Sequence, residues 1–128
     1  MRFLLDTHTL IWWMTDAPDL SKNAHKAIEQ EGNVSLVSAA SAWEIATKVR
    51  LGRLPAAANL VQDFVADLAL QRIEILDVSA EHGIRAGLLP GPHKDPFDRM
   101  LIAQAQAEGI PIVSNDRALD GYGVRRIW

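Results

Sequence analysis

Arg2-Phe3-Leu4-Leu5-Asp6-Thr7-His8-Thr9-Leu10-Ile11-Trp12-Trp13-Met14 opens the chain. Arg2 to Leu5 reads as a buried strand, and Thr7 to Met14 as a helix that follows it directly. A short apolar run bounded by polar residues and leading into a helical segment is the start of a strand–helix unit. The alternation continues along the chain. Ser21 suits the N-cap of a helix running to Glu31, with Gly32 as its stop. Val34 to Val37 reads as a second strand. Ser38 then opens a helix through Leu51, closed by Gly52, whose Ala42, Ile45, Ala46 and Val49 share one face. A further helix is expected from Ala57 to Leu70, where Leu60, Val61, Phe64, Val65 and Leu68 form an apolar stripe assigned to the core. Ile73 to Leu76 reads as a third strand, and Ser79 starts a short helix that Pro90 and Gly91 end. Asp95-Pro96 combines a capping acid with proline at the first helical position, and that helix runs to Glu108 before Gly109. Ile112 to Ser114 and Val124 to Ile127 complete the strands. Four to five short strands alternating with helices imply an α/β fold, a parallel sheet covered on both faces.

The 128 residues suit one domain spanning the whole chain, and 48% of them are apolar, enough for a single core. The chain has no cysteine, which excludes disulfides, thiolate metal sites and a Cys nucleophile. Asp6 interrupts the opening apolar run too early for a signal-peptide core. No apolar run approaches the roughly 20 residues that span a bilayer, so a cytoplasmic protein without membrane contact is expected. The formal net charge of −3 argues against binding nucleic acid through a bulk positive field. Setting four candidate site acids aside, however, leaves twelve acids against thirteen bases.

Those four acids are informative because ligands of parallel sheets bind beyond the carboxyl ends of the strands. Asp6 follows the first strand and Asp116 the fourth. Glu44 lies in the first turns of the helix after the second strand, and Asp98 in the first turn after Pro96. All four can reach one edge of the sheet. Each also has a structural use: Asp6 as a helix cap, Glu44 in an i,i+4 pair with Lys48 on a solvated face, Asp98 as a dipole-favoured first-turn acid, Asp116 as a turn residue. Four acids gathered together repel, and hard oxygen ligands suit Mg²⁺ or Mn²⁺. Such a site suits phosphodiester hydrolysis by water, with no nucleophilic side chain.

Leu4-Leu5-Asp6-Thr7-His8, Ser41-Ala42-Trp43-Glu44-Ile45-Ala46, Asp95-Pro96-Phe97-Asp98-Arg99-Met100-Leu101-Ile102-Ala103-Gln104-Ala105 and Val113-Ser114-Asn115-Asp116, in this order, resemble the PIN-domain ribonucleases. More narrowly the chain resembles the VapC-type toxins of bacterial toxin–antitoxin pairs, down to Ile127-Trp128. The resemblance implies a PIN fold and a Mg²⁺- or Mn²⁺-dependent endoribonuclease acting on RNA. It also implies a homodimer, held inactive by a cognate antitoxin whose C-terminal segment enters the catalytic groove. The catalytic acids carry over to Asp6, Glu44 and Asp98, with Asp116 the more variable fourth. Asp6, Asp98 and Asp116 are the expected metal ligands. Ser114 stands where many relatives have threonine, and keeps the hydroxyl.

Substrate-binding candidates are Thr7, His8, Lys48, His93, Arg99 and Ser114. Thr7 is also a candidate helix cap, Asp95 is read as an N-cap, and Arg50 and Arg53 join Lys48 and Arg99 as possible phosphate contacts. Trp12 and Trp13 cannot both point inward from one helix, which suggests an interface residue. Three other functions fit less well. A phospho-accepting receiver needs an acid pair after strand one and a late lysine, but only Asp6 is present and no lysine follows Lys94. An aspartyl phosphatase needs a second Asp two positions after the first, where His8 stands. A catalytically idle binding module of the same fold would not need the full set of acids.

Overall fold

Fully buried apolar residues at successive positions can form a strand only where both faces of the sheet are covered, and the first strand meets that condition. In the computed structural model, which describes residues 1–128, β1 (Arg2–Leu5) is the central strand, and Phe3, Leu4 and Leu5 have no exposed surface. Side chains alternate across a strand. Phe3 and Leu5 accordingly join one core cluster with Leu10, Ile45 and Leu68, while Leu4 joins a second with Leu36, Leu101, Ile102 and Ile112.

Around β1 the sheet is wholly parallel, in the order β3-β2-β1-β4-β5, with β2 at Val34–Ser38, β3 at Glu74–Leu76, β4 at Ile112–Val113 and β5 at Arg126–Ile127. Leu4 aligns with Leu36 on one side and Ile112 on the other. The expected five-stranded α/β architecture is therefore present. The chain winds outward from β1 through β2 to β3, then returns to place β4 against the other edge of β1. That reversal between β1 and β4 opens the crevice in which such sheets bind ligands. No helix is long and apolar enough to cross a membrane.

Local chemistry sets most helix ends. The helices are α1 (Thr7–Met14), α2 (Lys22–Glu29), α3 (Ala39–Arg50), α4 (Phe64–Leu70), α5 (Ala80–Leu88) and α6 (Pro96–Glu108). Ser21, Ser38, Ser79 and Asp95 accept backbone N–H groups at the starts of α2, α3, α5 and α6. Ser79 makes a reciprocal box with His82, whose Nδ1 accepts the Ser79 N–H at 3.1 Å. Gly109 ends α6 in the left-handed region (φ 64°), which a side chain would disfavour.

Three expectations need correction. The helix after Ser21 stops at Glu29 rather than Glu31, where the Asn33 side-chain amide donates to the Ala27 carbonyl and Gln30 turns extended. The expected Ala57–Leu70 helix is broken. Pro55–Ala57 forms a 3₁₀ turn, and only Phe64–Leu70 is α-helical, since Asp63 leaves helical geometry (φ −129°, ψ 41°). Asn59 and Asp63 favour turns over helix interiors. Val65 consequently leaves the stripe and is 67% exposed, while Leu60 and Leu68 are buried. The last strand covers only Arg126–Ile127, and Val124 packs in the second core cluster instead. Both tryptophan rings are half-buried against their own chain, each with surface left over. Trp12 packs on His8 and Trp128, and Trp13 on His25, with its Nε1 donating to Gln71.

Candidate active site

The β1/β4 crevice holds a cleft of about 530 Å³ with no apolar residue in its lining. Asp6, Thr7 and His8 enter it from the end of β1, Glu44 and Lys48 from α3, Asp95 and Asp98 from the start of α6, and Asn115, Asp116 and Arg117 from beyond β4. All four acids singled out by position thus line one cavity. Asn115 and Arg117 were not singled out, although the strand-end rule that found Asp116 applies equally to its neighbours.

Three acids of the cleft also hold the fold. Asp6 Oδ1 accepts the Thr9 N–H at 2.8 Å and caps α1. Asp95 Oδ1 accepts from Phe97 (2.9 Å) and Asp98 (3.3 Å) and caps α6. Asp116 Oδ1 accepts from Ala118 at 3.0 Å and starts a 3₁₀ turn over Arg117–Tyr122. Each commits one oxygen to the backbone. Thr7, a cap candidate from sequence, does not cap.

Glu44 is not on a solvated face. It is 3% exposed, with Oε1 accepting from the Thr7 hydroxyl at 2.5 Å and Oε2 paired with the Lys48 ammonium. The Ser41 hydroxyl lies 3.0 Å from that of Thr7. A buried carboxylate demands such partners, because an unpaired charge out of water is strongly unfavourable. Lys48 therefore neutralises Glu44 before any ligand arrives.

Asp98 has no such relief. The partner of its carboxylate is His93, whose Nε2 lies 3.3 Å from Asp98 Oδ2 and 3.7 Å from Asp116 Oδ2. Burial foremost, and then the charges of Asp95, Glu44 and Asp116, push the Asp98 carboxyl up from 3.8 to about 7, with His93 opposing. The donor atoms of His93, Asp98 and Asp116 lie within 4.8 Å of one another. Asp6 lines the same cavity but is not one of this trio.

Two further candidates turn out to face elsewhere. Arg99 donates to the carbonyls of Ala86, Leu89 and His93, which commits its guanidinium to the segment before α6 rather than to a phosphate rim. Ser114 is fully buried, and its hydroxyl accepts the Asp116 N–H at 3.0 Å, so it shapes the turn and does not line the cleft. Arg50 and Arg53 are also absent from the lining. His8 is exposed at the cleft mouth. Beside the cleft, Trp43 (65% exposed) meets Phe97 edge-on at 4.9 Å over an apolar groove of about 450 Å³.

Known proteins resemble the chain over most of its length. A family model described as PIN domain matches residues 3–124. Ribonuclease VapC22 of Mycobacterium tuberculosis is 30% identical over 120 residues, covering 93% of this chain and 90% of that protein. Among solved structures, VapBC2 from Rickettsia felis bound to a DNA fragment from their promoter superposes with a TM-score of 0.72 at 20% identity, over 98% of this chain and 97% of that one. A toxin–antitoxin complex from Klebsiella pneumoniae gives 0.59 at 17% identity, over 89% and 86% of the two chains. At these identities the two structures speak for the fold alone.

Proposed function

The chain belongs to the PIN-domain family, alongside the VapC-type proteins, and on that footing we propose that it is a metal-dependent endoribonuclease. It is the toxin of a toxin–antitoxin pair, acting in the cytoplasm as a homodimer until a cognate antitoxin blocks its cleft. The observation that carries the activity is the wholly polar cleft at the β1/β4 crossover, where Asp6, Glu44, Asp98 and Asp116 converge. The antitoxin is proposed by analogy with the Klebsiella pneumoniae neighbour, whose name is that of a toxin–antitoxin complex.

The donor set fits a hard divalent cation. Asp6 and Asp116 each keep one oxygen outside their capping bonds, and Asp98 keeps its carboxylate free of backbone bonds. Asp6, Asp98 and Asp116 would hold Mg²⁺ or Mn²⁺. When bound there, the cation supplies a lowered pKa for attacking water and positive charge for the leaving oxygen. The chain's own residues do the rest. Thr7 and Lys48 fix Glu44 in one orientation at the cleft floor, from which it accepts a hydrogen bond from the attacking water. His8 and Arg117 stand at the mouth, where substrate phosphates arrive.

The test is cleavage of RNA by purified protein, with Mg²⁺ or Mn²⁺ and with EDTA. Cleavage stops in EDTA, and falls by at least ~10²-fold in Asp6→Asn and Glu44→Gln. Full activity in EDTA, or in either variant with its fold intact, refutes the proposal. Co-purification with the product of a neighbouring short reading frame, and light scattering of the free protein, test antitoxin and dimer separately.

A further inference from the structure

His93 is held more firmly than a loop histidine needs to be. Its backbone N–H donates to the Tyr122 hydroxyl at 2.9 Å, and its carbonyl accepts from Arg99 Nη1 at 3.0 Å. Gly91, two residues before it, has φ +108°, and a Cβ there would lie 2.7 Å from the same Tyr122 hydroxyl. The segment is thus fastened on both sides, and it delivers an imidazole only 15% exposed to the gap between two acids. The spacing in that gap is telling. Nε2 stands 3.3 Å and 3.7 Å from the two carboxylate oxygens, beyond the roughly 2.7–2.9 Å of a charge-assisted hydrogen bond. Donors at right angles around a cation with bonds of about 2.1 Å are about 3.0 Å apart, roughly 0.3 and 0.7 Å less than the two separations here.

We infer that His93 is a metal ligand, its Nε2 joining Asp98 and Asp116 on the cation, and that this nitrogen biases the site toward Mn²⁺ over Mg²⁺. The inference rests on the metal dependence proposed above. Its chemical basis is donor type. Mg²⁺ favours all-oxygen surroundings, whereas an imidazole nitrogen suits transition metals, for which affinity rises along the first row from Mn²⁺. His8, which lines the cleft and sits exposed at its mouth, is the internal control.

The experiment is pulsed electron paramagnetic resonance on the full chain loaded with Mn²⁺, with competition titrations of Mn²⁺ and Mg²⁺. The wild type shows modulation from a directly bound ¹⁴N, shifted by ¹⁵N-histidine labelling. His93→Ala loses that modulation and binds Mn²⁺ about tenfold more weakly, while Mg²⁺ binding changes less than about threefold. His8→Ala keeps it. His93→Asp restores a third donor as oxygen, and the Mn²⁺/Mg²⁺ affinity ratio narrows about tenfold. Circular dichroism and melting curves establish that each variant is folded. Mn²⁺ bound without nitrogen modulation, or modulation lost in His8→Ala and kept in His93→Ala, overturns the assignment. If RNA cleavage still depends on metal in that case, only this inference fails. If Mg²⁺ binds and Mn²⁺ does not, only this inference fails; if neither binds, both it and the metal dependence fall.

Discussion

Replacing Asp98 by asparagine is expected to stabilise the metal-free protein at neutral pH. Asp98 stands in the first turn of α6, but the N-cap bonds there belong to Asp95, so the substitution removes no backbone hydrogen bond. What it removes is a carboxylate pushed from 3.8 to about 7 by burial and by Asp95, Glu44 and Asp116. Three units at about 1.4 kcal/mol each would be ~4 kcal/mol. The side chain is 30% exposed, and solvent screening brings this to about 1–2 kcal/mol. Losing the favourable interaction with the helix dipole returns about 0.3–1 kcal/mol. A net gain of about 1 kcal/mol corresponds to a rise of about 4 °C in Tm for a chain of this length. The pH dependence follows from linkage. A folded pKa above the unfolded one carries no penalty while both states are protonated, below about pH 4. The penalty grows through about pH 7 and is constant above it. Calorimetric melts in EDTA should therefore show variant and wild type converging near pH 4 and separating toward pH 7.5. Excess Mg²⁺ should stabilise the wild type more than the variant, because the cation relieves what the substitution has already relieved. An apo variant that melts lower at pH 7.5, by an amount independent of pH, refutes the reasoning and makes Asp98 a helix-end residue only.

Lys48→Met strands the Glu44 charge in a site only 3% exposed, and a loss of about 3 kcal/mol is expected in urea unfolding, largely reversed by adding Glu44→Gln. Arg99→Lys cannot reach three carbonyls with one ammonium. Hydrogen exchange should quicken selectively over residues 86–95, with a stability loss of about 1–3 kcal/mol. Phe3→Ala, at the centre of the first core cluster, should cost about 3–5 kcal/mol in the same unfolding assay.

Elements whose ends are fixed by their own residues could be read from the sequence. β1 and α1 fall at the expected bounds, and Ser38, Ser79, Asp95 and Gly109 mark helix ends by side-chain acceptors or a left-handed turn. The stretch from 57 to 63 misled because its apolar spacing fits a helix, while its path is set by packing Ala57 and Leu60 against the first core cluster. Within the site, the convergence of acids was legible because a parallel sheet gathers the ends of its strands. Their partners were not. An i,i+4 Glu–Lys pair has the same pattern whether buried or exposed, so the burial of Glu44 left no trace. Backbone carbonyls carry no residue signature, so the binding of Arg99 to Ala86, Leu89 and His93 was invisible, although His93 itself was a site candidate.

Asp6, Asp95 and Asp116 each lend one oxygen to a helical N-terminus, and this ties the fate of the cleft's chemistry to that of the architecture. Alanine at any of them removes a charge and a cap together, so an inactive alanine variant confuses a lost ligand with a frayed helix. Asparagine keeps an acceptor oxygen for the backbone, caps about as well as aspartate, and discards the charge. Mutational drift in a copy released from selection for activity is therefore channelled. If the proposed function holds, asparagine at Asp6 or Asp116 silences the cleft and leaves the frame standing, whereas most other replacements also weaken the protein that carries them.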